Sequence, residues 1–117
     1  RIVSTIIYKT HDKKIINNKD SVKVITDKNN NALYFSRSLI PYNSDHAYFI
    51  HLGIYGYKAS LLEEYSSLVK SEFEKSESLE QLRFIYNNVP VHCIKIKSHN
   101  SISINSVNDL KLVKAGI

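Results

Sequence analysis

Methionine and tryptophan are absent from these 117 residues, cysteine occurs once, proline twice and glycine three times. Each shortage excludes something. Without methionine, Arg1 is not expected to be a natural start, so the chain is expected to be processed, truncated or cut from something longer. A lone Cys93 cannot close an internal disulfide; within "VHCIKIK" it is expected to be a small buried hydrophobe, because nothing beside it lowers a thiol pKa. Gly53, Gly56 and Gly116 cannot assemble G-x-G-x-x-G or G-x-x-x-x-G-K-[ST], so nucleotide phosphates would have to be held by residues outside this chain. Apolar runs fall far short of the ~20 residues that span a bilayer. The opening "RIVSTIIYKT" lacks the apolar region and cleavage site of a signal peptide, so no membrane partner and a cytoplasmic location are expected. The histidines His11, His46, His51, His92 and His99 show no ligand spacing, which argues against zinc.

What is present is ordinary for a folded domain. Hydrophobic residues make up 43% and charged residues 23%, enough for one small domain or part of a larger one. The net charge of +5 comes from scattered lysines, Lys13, Lys14, Lys19, Lys23, Lys28, Lys95, Lys97, Lys111 and Lys114 among them, with no five-residue basic block. A solvated surface accounts for them better than a nucleic-acid interface, and no nucleic-acid partner is expected.

Along the chain, "STIIYKT" (Ser4–Thr10) and "DSVKVITD" read as strands, the second with Val22, Val24 and Thr26 on one face. "DKNNN" is a turn, since asparagine tolerates the left-handed region, and "ALYFS" returns as its hairpin partner before Pro41. "ASLLEEYSSLV" predicts an amphipathic helix burying Leu61, Leu62, Tyr65, Leu68 and Val69. "SEFEKSESLEQLRFIYNN" predicts one long helix with a Ser71/Glu74 capping box, buried Leu79, Leu82, Ile85 and Tyr86, and a Glu80–Arg83 pair; Glu77 and Gln81 would share a solvated flank. "VPVHCIKIK" is a further strand, and "SVNDLKLVKAG" a closing helix from Ser106 to Gly116. This order predicts an α/β fold.

"YFIHLGIYGYK" carries the most functional content. Period two sets Ile50, Leu52, Ile54 and Gly56 toward the core, and His51, Gly53, Tyr55 and Tyr57 on the other face. An interior strand glycine often marks the close approach of a ligand or of other backbone. At ~3.3 Å per residue, His51 and Tyr55 would stand about 13 Å apart across the gap at Gly53, a floor for a sugar-sized ligand. "NNNALYFSRSLIPY" adds Arg37 at a strand tip, flanked by Ser36 and Ser38.

"NALYFSRSLIPY", "HLGIYGYK", "SEFEKSESLEQLR" and "SISINSVNDLKLV", in that order, resemble the C-terminal half of the 3-deoxy-manno-octulosonate (KDO) cytidylyltransferases, or CMP-KDO synthetases, over about Ser4 to Val113. The resemblance implies part of a nucleotide-diphospho-sugar transferase fold, the C-terminal half of a mixed sheet flanked by helices. Residues 1–117 would then form the sugar-site half of a cytidylyltransferase domain, without the nucleotide-binding half. It further implies an enzyme family that joins CTP to KDO with magnesium, releasing pyrophosphate and making CMP-KDO for lipopolysaccharide, and that is typically a homodimer. Carried over by motif, Arg37 would face the sugar carboxylate, where a planar fork suits it. His51 and Tyr55 would bond KDO oxygens, and Glu80 and Gln81 would read its hydroxyls. Where the family has a metal-binding aspartate this chain has Asn105, a neutral oxygen expected to hold magnesium more weakly. The loop from Tyr42 to His51 is also short for the family. These 117 residues alone are expected to be inactive; the alternative is a non-catalytic remnant or dimerisation module.

Overall fold

The computed structural model of the chain describes residues 2–44 and 47–97, and the backbone of 113–114. The elements follow as β1 (Val3–Thr10), α1 (Lys13–Ile16), β2 (Lys23–Thr26), β3 (Ala32–Ser36), β4 (Tyr48–Gly56), α2 (Ala59–Tyr65), α3 (Glu72–Glu77), α4 (Leu82–Tyr86), β5 (Val91–Ile96) and β6 (Val113–Lys114). The strands form one mixed sheet in the order β3-β2-β4-β1-β5, with β6 alongside β4. β1 and β5 run parallel, while β4 is antiparallel to both β1 and β2. The expected α/β class is what the chain adopts.

The β2–β3 hairpin turns where the asparagines predict it. Asp27 Oδ1 accepts the amides of Asn29 and Asn31, each at 2.9 Å, and Asn30 sits at φ 65°. Asparagine tolerates that conformation better than most non-glycine residues, and here Asp27 holds the turn around it, its carbonyl also accepting the Asn30 amide at 3.0 Å. The hairpin tip then reaches the outer edge of the sheet, where the Cys93 amide donates to the Asn30 carbonyl at 2.8 Å. An edge that would otherwise expose unpaired amides is thereby capped.

One face of the sheet packs on α2, α3 and α4 through Val3, Ile7, Val24, Phe35, Tyr55, Leu61, Tyr65, Leu79, Leu82, Phe84, Val89, Val91 and Cys93. Burying each large apolar side chain contributes ~1.5–3 kcal/mol. The face of β4 expected to stay open therefore belongs to this core, because Tyr55 is in it; Ile50 is buried on the opposite side, while Leu52 and Ile54 are only half-buried.

The helices differ from expectation in three respects. α2 stops at Tyr65, leaving Leu62 and Val69 exposed rather than buried. The long helix divides in two because Ser78 closes α3 in the left-handed conformation, φ 57°. The Ser71 cap forms as expected, its Oγ accepting the Glu74 amide at 3.1 Å. Restarting at Leu82 turns Phe84 inward instead of Tyr86, which stays exposed, and leaves Ile85 only partly buried. Finally, Val113–Lys114 is a strand paired with Ile54 and Tyr55, not part of a helix. The rest of the expected closing helix, with Ser106, Asp109, Gly116 and Asn105 nearby, lies outside the described residues, as do His46 and His99.

The break at Ser78 also changes the ion pairing. Arg83 reaches back to Glu74, not to Glu80, with Nε–Oε1 at 3.0 Å and Nη2–Oε2 at 2.7 Å. Glu74 is 2% exposed, so this two-pronged contact is its solvation. The bond to Glu74 is also the main reason the Arg83 pKa is raised. Tyr65 stacks under the same guanidinium, 4.7 Å from its ring centre.

Candidate functional site

Gly53 does not open a gap in β4; it makes a bulge. Its φ is 71°, and the β1–β4 register slips there: Thr5 opposes Tyr55 while Ile7 opposes His51, so three residues of β4 face one of β1. Positive φ is open to glycine without steric cost. The bulge shortens the path between the flanking residues. The rings of His51 and Tyr55 consequently lie 5.4 Å apart, not at the ~13 Å of a regular strand. Phe35 closes the other side of the imidazole at 4.8 Å. No sugar-sized floor remains between His51 and Tyr55.

The bulge also decides the protonation of His51. Thr5 Oγ1 donates its one proton to the Ile54 carbonyl, a group turned inward at the bulge, at 2.7 Å. The same oxygen is 2.7 Å from His51 Nε2, so Nε2 must carry a hydrogen and donate it. That leaves Nδ1 as an acceptor, and the Gln81 amide nitrogen approaches it at 3.4 Å. Burial lowers the imidazole pKa to about 4, consistent with a neutral ring holding one donor and one acceptor. Burial also raises the Tyr55 hydroxyl well above its ordinary value, and pushes Cys93 up to about 12, which makes that thiol inert as expected.

At the tip of β3, "FSR" meets an acid of its own chain. Tyr34 and Ser36 both donate to the Glu77 carboxylate, at 3.0 and 2.9 Å, and burial with that bond pushes the Tyr34 hydroxyl up to about 12. Arg37 is half-buried beside them. Its Nε donates to the Glu77 carbonyl at 3.3 Å and Nη1 to the Lys19 carbonyl at 3.4 Å, both long contacts. Among the described residues its guanidinium has no carboxylate partner. Glu77, expected on a solvated flank with Gln81, is instead the anchor of the β3 tip.

Lys23 departs furthest from the scattered surface expected of the lysines. It is 1% exposed, and Nζ donates to the carbonyls of Asn18 and Arg37 at 3.0 and 2.9 Å. Burial, then the Arg37 charge, lowers its pKa. Because Arg37 in turn reaches Lys19, the loop before β2 and the tip of β3 are tied by reciprocal bonds. Glu80 remains exposed and its carbonyl accepts the Tyr65 hydroxyl at 3.4 Å.

His51, Tyr55 and Gln81 are thus brought together, Arg37 stands at the C-terminal end of α3, and Glu80 precedes Gln81 on the connection to α4. Thr5, Glu77 and Lys23 were missed. Thr5 left one signal, a polar residue on the face that Val3 and Ile7 make apolar; Lys23 and Glu77 looked like any solvated charge. Among the described residues no group of three or more His, Cys, Asp or Glu converges as a metal site, and none of their helices is long and apolar enough to cross a membrane.

A family model described as Cytidylyltransferase matches residues 2–98. The 3-deoxy-manno-octulosonate cytidylyltransferase of Fusobacterium nucleatum is 40% identical over 114 residues, covering 95% of this chain and 46% of the relative. That of Haemophilus influenzae is 35% identical over 127 residues, covering 97% and 50%. The solved structure of a CMP:2-keto-3-deoxy-manno-octonic acid synthetase complexed with CTP superposes with a TM-score of 0.76 at 34% identity, over 83% of this chain and 41% of that one. The chain spans about half the length of the curated relatives it matches.

Proposed function

The chain belongs to the cytidylyltransferase family, and from that membership we propose that it supplies the sugar-acid side of an enzyme joining CTP to KDO, giving CMP-KDO and pyrophosphate for lipopolysaccharide. Both curated relatives above carry that activity in their names, and the solved relative is a CTP complex. Because only about half of each relative is matched, CTP would be met mainly by residues beyond these 117. The anomeric hydroxyl of KDO would attack the α-phosphate of CTP. Magnesium would neutralise phosphate charge in that reaction; the described residues offer no cage for it, and Asn105 lies outside them, so none of the roles below depends on it.

The observation that carries this reading is the guanidinium of Arg37, half-buried, held by two long carbonyl contacts and with no carboxylate partner among the described residues. Such a cation is poised to take a carboxylate from outside, trading weak contacts for charge-assisted ones. Glu80, exposed and unpaired among the described residues, suits a sugar hydroxyl. Gln81 binds His51 only at the long limit, so a ligand hydroxyl can replace either partner there. Tyr55 acts through the His51 ring, since it is 2% exposed.

KDO titrated onto the chain tests this by calorimetry. Arg37→Ala is expected to weaken binding by roughly tenfold to a hundredfold, the value of a hydrogen bond to a charged group. Thermal unfolding of the variant checks separately whether the fold is retained. Unchanged KDO affinity in a folded Arg37→Ala protein removes Arg37 from the site. Pure Arg1–Ile117 with CTP, KDO and magnesium is expected to release no pyrophosphate; steady release would mean that these residues hold the nucleotide as well.

A further inference from the structure

Arg37 and Glu77 carry opposite charges and already touch, yet they do not pair. Arg37 Nε donates to the Glu77 main-chain carbonyl at 3.3 Å, but the ion pairs among the described residues join Lys75 to Glu72 and Arg83 to Glu74. The Glu77 carboxylate is engaged elsewhere. Its Oε2 accepts the Tyr34 hydroxyl at 3.0 Å and its Oε1 the Ser36 hydroxyl at 2.9 Å. An ionised carboxylate only accepts and each hydroxyl has one proton, so both protons are committed to Glu77. Ser36 Oγ still accepts the Ser38 amide at 3.1 Å, which ties the backbone on either side of Arg37.

Both elements are built for this contact. On β3, Tyr34 and Ser36 are two residues apart and leave the strand on one side. On α3, Phe73 and Glu77 are four apart and share a helical face. The Phe73 ring meets the Tyr34 ring edge-on at 5.7 Å, and the Glu77 carboxylate meets the hydroxyl of the same tyrosine. The helix itself gives no reason for an acid there, since Glu77 is the last residue of α3 and opposes the helix dipole. Nor does attraction to Arg37 decide its direction. In a half-buried place that water reaches, an ion pair contributes little, whereas two hydrogen bonds to a charged acceptor contribute more. The hydroxyls therefore hold Glu77, and Arg37 keeps only its two long carbonyl contacts.

We propose that Tyr34 and Ser36 are positioning residues that restrain the Glu77 carboxylate, so that it does not compete for the Arg37 guanidinium with the carboxylate of the sugar acid. This rests on the reading of Arg37 given above. Neither hydroxyl touches the ligand in this scheme; both act through Glu77. Without them the carboxylate would be an internal mimic of the ligand, on the residue whose carbonyl Arg37 already meets.

The test is a rescue experiment on the whole chain. Tyr34→Phe combined with Ser36→Ala removes two hydroxyls and little else. KDO binding, by calorimetry, is expected to weaken roughly tenfold, as when Arg37 is occupied internally in about nine molecules of ten. Adding Glu77→Gln to that double variant removes the competing charge and is expected to restore most of the affinity. A double variant that binds KDO like the parent overturns the proposal. So does a triple variant no tighter than the double, because hydroxyls that only brace the strand tip cannot be replaced by altering Glu77. Should the double variant unfold, Tyr34→Phe alone, with and without Glu77→Gln, is expected to show a smaller effect of the same sign. A second readout needs no KDO. The Arg37 Nε–H signal in NMR, assigned by its loss in Arg37→Lys, is expected to exchange more slowly with water in the double variant and to revert in the triple. An unchanged signal overturns the restraint, whereas KDO binding that is indifferent to Arg37→Ala overturns the reading of Arg37, so the two failures are told apart.

Discussion

Arg83→Ala is expected to lower the unfolding free energy by about 3–5 kcal/mol, because it strands a buried carboxylate. Glu74 is 2% exposed, and both of its oxygens are held by the Arg83 guanidinium. Its remaining role, accepting nothing from the Ser71 amide, shows that the capping box is only half built: Ser71 caps the Glu74 amide, but the Glu74 side chain turns to Arg83. Loss of the guanidinium also removes the cation over Tyr65. For a domain of this size the midpoint of thermal unfolding should fall by ten degrees or more, at roughly 4–8 °C per kcal/mol. The pair itself is not the source of that energy. Replacing both partners by apolar residues, Glu74→Leu with Arg83→Met, is expected to recover most of the loss, since no charge is then left buried. A single variant that unfolds within two degrees of the parent would mean that solvent reaches Glu74 freely.

Such a pair could not be found by helical spacing. The Glu80–Arg83 spacing assumes a continuous helix, and Ser78, a residue without a strong breaking preference, ends α3 in the left-handed region. Once the helix is broken, Glu77 turns to Tyr34 and Ser36 while Gln81 turns to His51. Both contacts span more than 25 residues of sequence, and no local pattern encodes them. What local chemistry does encode was legible. The Asp27–Asn31 turn, the strand character of β1, β4 and β5, and the Ser71 cap are each decided by neighbouring residues. The placement of His51 and Tyr55 was legible in part. Alternation put them on one face, yet their separation depends on the register against β1, and Gly53 alone does not say whether a strand will bulge or leave a gap. Lys23 is the extreme case. Its burial rests on two carbonyls from separate loops, which no property of the surrounding "SVKVI" foretells.

The same bulge that closes the gap should make stability depend on acid pH through His51. The folded state holds the imidazole at about pKa 4 by burial, against 6.5 when unfolded. A folded pKa below the unfolded one means that the unfolded chain binds the extra proton first. Stability from this residue is therefore complete above pH 6.5 and is lost as pH falls from 6.5 toward 4. Between pH 7 and pH 4.5 the loss amounts to roughly 2 kcal/mol. The geometry agrees in sign. Nε2 already donates to Thr5, so a second proton must go to Nδ1, where it would face the Gln81 amide instead of accepting from it. Phe35 and Tyr55 pack the ring from either side, and neither offers an anion to stabilise an imidazolium. His51→Gln removes the titrating group while keeping a polar side chain for Thr5 or Gln81. That variant should be less stable than the parent at pH 7, but its stability should fall less on acidification, so the two curves converge by pH 4.5. Denaturant unfolding of both proteins between pH 4.5 and 7.5 measures this directly. Parallel curves would place the imidazole in contact with water and its pKa near the ordinary value. Convergence would establish that His51 meets any ligand as a neutral ring, with its one acceptor directed at Gln81.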